Sequence, residues 1–193
     1  MSYVERVRLI VYTTVFGVLW GILEMMLGSY LHMIQFPFRG AFMAGIGSVI
    51  LCTERIYTDK PGATLSTGIV AVFFKLMSLG AFKLGPAAGI LIESALAEMV
   101  LTLLGCGKMQ FLLACLLACL EGIPHFFVTN WIFYGRGIFH TYLEAVRQMQ
   151  FFFGIRSDFW KLAVGAWIFG HVLLGIASGI LAGFILRQVK RAD

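Results

Sequence analysis

The sequence predicts an all-α integral membrane protein. It reads as one domain over residues 1–193, a bundle of about six transmembrane helices with an amphipathic helix in the interface before the last span. Three observations predict this. The chain is 60% hydrophobic and only 13% charged, where a soluble domain carries about 25% charge, and its mean hydropathy is +0.88. The apolar residues gather into runs near the length of about 20 residues that crosses a bilayer. One long connection, 135–158, instead alternates apolar and polar residues at helical spacing. The net charge of +5 comes from basic residues standing singly at the ends of apolar runs. That is the pattern of residues flanking spans, and it excludes a nucleic-acid patch interleaved with aromatics.

The first span runs from Leu9 to Leu31. It follows Arg6 and Arg8 as a secretory signal would, but it continues through Glu24 with no small-residue cleavage site, so it reads as a retained span. Gln35, Pro37 and Arg39 mark the loop that closes it. The second span, Gly40–Cys52, is short and glycine-rich, and reads as tilted or partly re-entrant. Thr53–Gly62 (TERIYTDKPG) reads as a loop, with Pro61 and Gly62 marking the turn before a third span, Ala63–Leu79. A tight connection, Gly80–Pro86, leads to the fourth span, Ala87–Leu104, which Gly105–Lys108 ends. The fifth, Met109–Tyr134, holds Pro124 in its interior, where a lost backbone hydrogen bond kinks a helix.

In the long connection, Phe139, Tyr142, Leu143, Val146, Met149 and Phe153 fall opposite His140, Thr141, Glu144, Arg147 and Gln148. This is an interfacial helix, serving as a surface anchor or as a lid. The sixth span, Phe159–Leu186, places Gly175, Gly179 and Gly183 on one stripe where another helix can approach closely; Thr13, Gly17 and Gly21 make a shorter version on the first span. Cys52, Cys106, Cys115 and Cys119 form no CxxC pair and read as packing residues rather than a metal site or disulfide framework.

Six spans bring both termini to one side. With the termini inside, that side holds Arg6, Arg8, Arg55, Lys60, Lys108, Arg187, Lys190 and Arg191, against Arg39, Lys83, Arg136, Arg147, Arg156 and Lys161 outside. The bias points to a multi-pass protein of the plasma (inner) membrane with cytoplasmic termini.

Within these apolar runs stand Glu24, Lys75, Glu93, Glu98, Glu121, His125 and His171. Ionisable groups at membrane depth are costly unless they face one another or a water-filled cavity, so they mark a functional site. Counting about 1.5 Å per residue puts Glu24, Lys75, Glu93 and His125 around an outward-facing pocket, with Glu121 and His171 at its floor. Glu98 lies deeper and reads as structural. Trp20, Trp131, Tyr134, Trp160 and Trp167 are candidates for aromatic faces of the pocket or for interfacial anchors. Carboxylates with aromatic rings favour a cationic or nitrogen-rich heterocycle over an anion. The competing reading pairs Lys75 with Glu93 between the third and fourth spans, and Glu24 with His171 or backbone.

The segment from Lys60, Pro61, Gly62 and Ala63 through Gly85 and Pro86 to Gly89, Ile90, Leu91, Ile92, Glu93, Ala97 and Glu98 resembles the central portion of S components. These are the membrane substrate-binding subunits of energy-coupling factor (ECF) vitamin transporters, and the likeness is to members for thiamine or its hydroxymethylpyrimidine precursor. The resemblance implies a small bundle, not itself an enzyme and carrying no cofactor, that captures a vitamin from outside. It would deliver it through a transmembrane coupling subunit driven by two separate ATPase subunits. It implies further that Thr13, Gly17 and Gly21 contact the coupling subunit, and that Glu93 leads a substrate-binding set of Glu24, Lys75, Glu93, Glu121, His125, Trp131 and His171. Lys75 and the long amphipathic connection have no counterpart in the resemblance. The chain begins Met1, Ser2, Tyr3, unlike the Met-His start of the nickel and cobalt members.

The alternative is a haem electron-transfer protein with His125 and His171 as axial ligands, since the two fall at similar depth on successive long spans. An intramembrane enzyme is disfavoured, because there is neither an HExxH run nor a serine spaced for a triad. There is also no Walker motif, so any ATP hydrolysis belongs to another chain, and the two halves show no inverted repeat.

Overall fold

The computed structural model describes residues 2–78, 83–135 and 137–192. The expected connection at Gly80–Phe82, the end of the third span at Leu79, and Arg136 lie outside the described residues, as does the side chain of Tyr134. The described chain is helical, without a strand. Helix α1 (Tyr3–Leu23) passes through one π-helical stretch (Glu24–Gly28) into α2 (Ser29–Met33). Then follow α3 (Arg39–Thr58), α4 (Ala63–Met77), α5 (Leu84–Leu104), α6 (Lys108–Tyr134), α7 (Ile138–Phe153), a single 3-10 turn (Ser157–Phe159) and α8 (Trp160–Ala192). Among the described residues, four helical stretches are long and apolar enough to cross a membrane: Tyr3–Met33, Leu84–Leu104, Lys108–Ile132 and Trp160–Arg191. Helix α4 is a shorter apolar helix.

Local sequence sets the ends. Ser2 caps α1 through a reciprocal box in which Glu5 N–H donates to Ser2 Oγ (3.2 Å) and Ser2 N–H donates to Glu5 Oε2 (2.9 Å). Gly105, Gly135 and Gly154, all at positive φ, stop α5, α6 and α7, as glycine's freedom at C-caps allows.

Side-chain contacts fix which ends lie together. Lys60 meets Glu5, and Arg55 meets Glu98, at the end that also holds the C-terminal turns of α8. Lys75 meets Glu24, His125 meets Gly85, and Phe38 packs on His171 at the other end. The long helices α1, α3, α4, α5, α6 and α8 therefore run alternately up and down, and both termini share one end.

Glycines set how closely the helices pack. A Cβ at Gly17 would stand 2.6 Å from Val70 Cβ, and one at Gly21 2.5 Å from Phe74 Cβ, so α1 lies directly on α4. A Cβ at Gly179 would stand 2.6 Å from Leu112 Cα, and one at Gly175 2.9 Å from Leu116 Cα. The expected stripe on the last span is thus spent on α6. The core splits into a cluster of Cys52, Val100, Leu101, Phe111, Ala114, Cys115, Ala182 and Leu186, and another of Trp20, Ile50, Leu51, Ala71, Ile90 and Ala97. All four cysteines are free, and Cys52, Cys115 and Cys119 are buried, as packing residues would be.

Two elements differ from the sequence reading. The loop expected from Thr53 is helix: α3 continues through Thr58 for 20 residues, a length of about 30 Å. Only Asp59–Gly62 turns, with Asp59 at φ 44° and Gly62 at φ 85°. The polar run is helical because Glu54 and Arg55 are buried in the bundle, where Arg55 is paired with Glu98. In α7, the buried face is Thr141, Ala145, Val146 and Met149, while Phe139 is 70% exposed. The helix is rotated from the expected apolar face because it packs on Phe38, Ala163 and Trp167. There Thr141 can be buried, since its hydroxyl donates to Gly137 O (3.4 Å).

Candidate functional site

Glu24, Lys75, Glu93, Glu121, His125 and His171 lie in the half of the bundle away from the termini. On one flank, Lys75 Nζ of α4 donates to Glu24 Oε2 (3.1 Å) and to Glu24 O (2.9 Å). Both side chains are buried. The second bond reaches the backbone where the helix changes its winding: Glu24 opens the π-helical stretch, and its carbonyl accepts from the lysine. Gly28 completes the niche, since a Cβ there would stand 3.0 Å from Glu24 Oε2 and 3.2 Å from Lys75 Nζ. The competing sequence reading pairs Lys75 with Glu93, and Glu24 with His171 or backbone. The structure gives Lys75 to Glu24 instead, because the close packing of α1 on α4 through Gly17 and Gly21 brings those two together.

On the other flank, Glu121 and His125 stand one turn apart on α6, with Glu121 Oε1 3.1 Å from His125 Nδ1. His125 Nε2 lies 3.1 Å from Gly85 O at the start of α5. Both ring nitrogens thus face oxygen acceptors, an arrangement satisfied when the ring carries both protons. An axial haem role for His125 would require one of these bonds to be given up. His171 Nδ1 is held by Trp167 O one turn earlier (2.9 Å), and the ring sits edge-on between Trp167 and Phe38.

Glu93 lies between the two flanks. It is 8% exposed, its Oε2 has no hydrogen-bond partner, and it lies within electrostatic reach of the Glu24 and Glu121 carboxylates. A Cβ on Gly89, one turn away, would lie 3.9 Å from Glu93 Oε1 and 3.4 Å from His125 Nε2, so both groups border that glycine. Glu24 has Lys75 beside it and Glu121 has His125; among the described residues no lysine, arginine or histidine pairs with Glu93. An uncompensated carboxyl at this depth is costly unless something else satisfies it.

The remaining residues of the expected set lie elsewhere. Trp131 is 62% exposed on α6 and Trp160 46% exposed at the start of α8, positions suited to anchoring in an interface. Trp20 is fully buried one turn before Glu24, flat against Gly47, with its Nε1 unpartnered. Thr13, Gly17 and Gly21 are buried, and the two glycines face α4, so the stripe is occupied within the bundle. Above the ionisable groups, α7 and the α2–α3 loop border a polar cleft of about 670 Å³ lined by Gln35, His140, Glu144, Arg147 and Gln148 among others.

Glu98 belongs to a separate network at the termini end, and is structural there as expected. Helix α4 starts at a glycine that has no side chain to cap it, and Glu98 of α5 supplies the missing acceptor. Its carboxylate accepts from Gly62 N (2.7 Å), Thr64 N (3.1 Å) and Thr64 Oγ1 (2.5 Å), and also from Thr102 Oγ1 one turn later. Arg55 Nη1 reaches Glu98 Oε1 (3.0 Å) and Lys60 O (2.5 Å), while Nη2 reaches Thr102 Oγ1 (2.9 Å). The sequence reading missed Arg55 and Glu54; the signal was Ile56 and Tyr57, which continue the apolar helix beyond them. Replacing Arg55 with methionine is expected to cost about 2–3 kcal/mol. Glu98→Ala should cost more, because it strands several donors at once; heat unfolding in detergent micelles checks the order.

Comparison with known protein families, with characterised proteins and with solved structures gives no match to this chain.

Proposed function

We propose that the chain is the substrate-capture subunit of an ECF-type importer, binding a thiamine-like vitamin or another cationic nitrogen heterocycle. In this reading all six long helices cross the membrane, α7 lies along the outer face, and the termini are cytoplasmic. The observation that carries it is Glu93, a buried carboxyl whose Oε2 has no partner among the described residues, standing between Glu24, which has Lys75, and Glu121, which has His125. A positively charged ring supplies the missing charge and accepts aromatic neighbours. The likeness of the Lys60–Glu98 segment to S components supports the same class. Ligand would enter from the side of the polar cleft that α7 and the α2–α3 loop border.

A transmembrane coupling subunit and two ATPase subunits complete the importer. With Gly17 and Gly21 occupied by α4, the coupling subunit would meet α1 on its exposed side, where Val11, Val15 and Leu19 stand beside the Thr13 stripe.

The experiment is a thermal-shift screen of the purified protein, shown to be folded, against vitamins and their precursors. Stabilisation by a cationic heterocycle is expected, and silence across the whole screen defeats the reading. Glu93→Gln is expected to weaken that ligand by about tenfold or more, as loss of a charge-assisted contact does. An unchanged dissociation constant would leave Glu93 a structural role only.

A further inference from the structure

At the end of the bundle that holds both termini, α6 and α8 separate. Gly175 and Gly179 press α8 onto the α6 backbone, but at Gly183 the nearest atoms of Lys108 already lie 3.7–4.0 Å from where a Cβ would stand. Beyond that point the two helices border a cleft of about 640 Å³, lined by Gly107, Lys108, Leu186, Arg187, Lys190 and Arg191. Leu186 is buried and forms its floor.

Four of these six residues are cations. Arg187, Lys190 and Arg191 occupy one face of α8 at spacings of three and four, the spacing at which like charges repel. Lys108 faces them from the first turn of α6, which has no side-chain cap and so adds the positive end of its own dipole. Asp59 reaches the neighbouring Cys106 Sγ at 4.0 Å and does not line the cleft. Basic residues that merely flank spans stand apart and reach outward; these four border one concavity, which gives it a positive field that favours an anion. The apolar side chains beside the cleft name the anion more closely. Ile180, Leu181 and Phe184 on α8, and Met109 on α6, are exposed just above it. A molecule with an anionic head and apolar tails fits both parts.

We propose that this cleft is a phosphate-binding site, filled in the bilayer by the headgroup of an anionic phospholipid whose acyl chains lie along α8. The inference does not rest on the vitamin reading.

The test titrates delipidated full-length protein in neutral detergent with short-chain phosphatidylglycerol, with phosphatidylcholine of equal chain length, and with inorganic phosphate. Native mass spectrometry and thermal shift are the readouts. Phosphatidylglycerol is expected to bind saturably at one site, about tenfold or more tighter than phosphatidylcholine. The double variant Arg187→Gln/Lys190→Gln should lose that preference, while Arg6→Gln/Arg8→Gln, which removes two exposed cations from the same end, should keep it. Saturation by inorganic phosphate alone, lost in the Arg187/Lys190 variant, would keep the phosphate site and assign it a soluble source. Equal binding of the two lipids with no phosphate response, or equal loss in both double variants, overturns the proposal. If the double variant fails to fold, Lys108→Gln carries the same comparison.

Discussion

Replacing Lys75 with methionine is expected to lower the stability of the bundle by about 3–5 kcal/mol. Methionine fills the volume of the lysine stem, so the loss isolates the charge. The Glu24 carboxylate and the Glu24 carbonyl then both lose the lysine as donor. The same physics predicts rescue. In Lys75→Met/Glu24→Leu neither member of the pair is left behind as a lone buried charge, and most of the lost stability should return, since apolar replacement of a whole buried pair is often neutral or better. Melting temperatures of the two variants in detergent check this. A double variant no better than the single one would mean that the pair does not carry the energy assigned to it.

The second large effect is steric. Gly179→Leu must push a branched side chain into the α6 backbone, because even its Cβ would stand 2.6 Å from Leu112 Cα. Backbone on one helix cannot move without moving its neighbours, so a cost of at least about 3 kcal/mol, or failure to recover folded protein, is expected. Gly183→Ala is the control on the same stripe. Its new methyl meets only Lys108 at 3.7 Å or more, so its stability should equal the parent's or exceed it by up to about 1 kcal/mol, the helix preference of alanine over glycine. Detergent-solubilised yield and heat unfolding separate the two. Equal behaviour of both variants would place the α6–α8 contact elsewhere than on the glycine stripe.

These two contrasts show what was legible before the structure. Apolar runs and glycine punctuation gave the helices and their order, since both are local signals. The stripe Gly175, Gly179, Gly183 announced a close helix contact, and the structure names its partner as α6. Pairing was not legible. Lys75 falls at a depth that suits either Glu24 or Glu93, and only the packing of α1 on α4 decides between them. The α3 boundary failed for a related reason. Glu54 and Arg55 look like solvent-facing residues when read singly, but Arg55 is paid for by Glu98 from another helix, 43 residues away. The rotation of α7 likewise depends on Phe38 and Trp167, which no pattern within α7 contains.

The π-helical turn at Glu24–Gly28 makes this first helix unevenly tolerant of changes in length. A π-turn accommodates one residue more than the α-helix around it. Removing one residue there could be absorbed by tightening a single wide turn, at the expense of the carbonyl offered to Lys75. The same deletion among Gly175, Gly179 and Gly183 would turn every later residue of α8 by about 100° and carry Gly183 and the Arg187 face off α6. Length variation in this chain should therefore collect at Glu24–Gly28 and be absent from the glycine stripe.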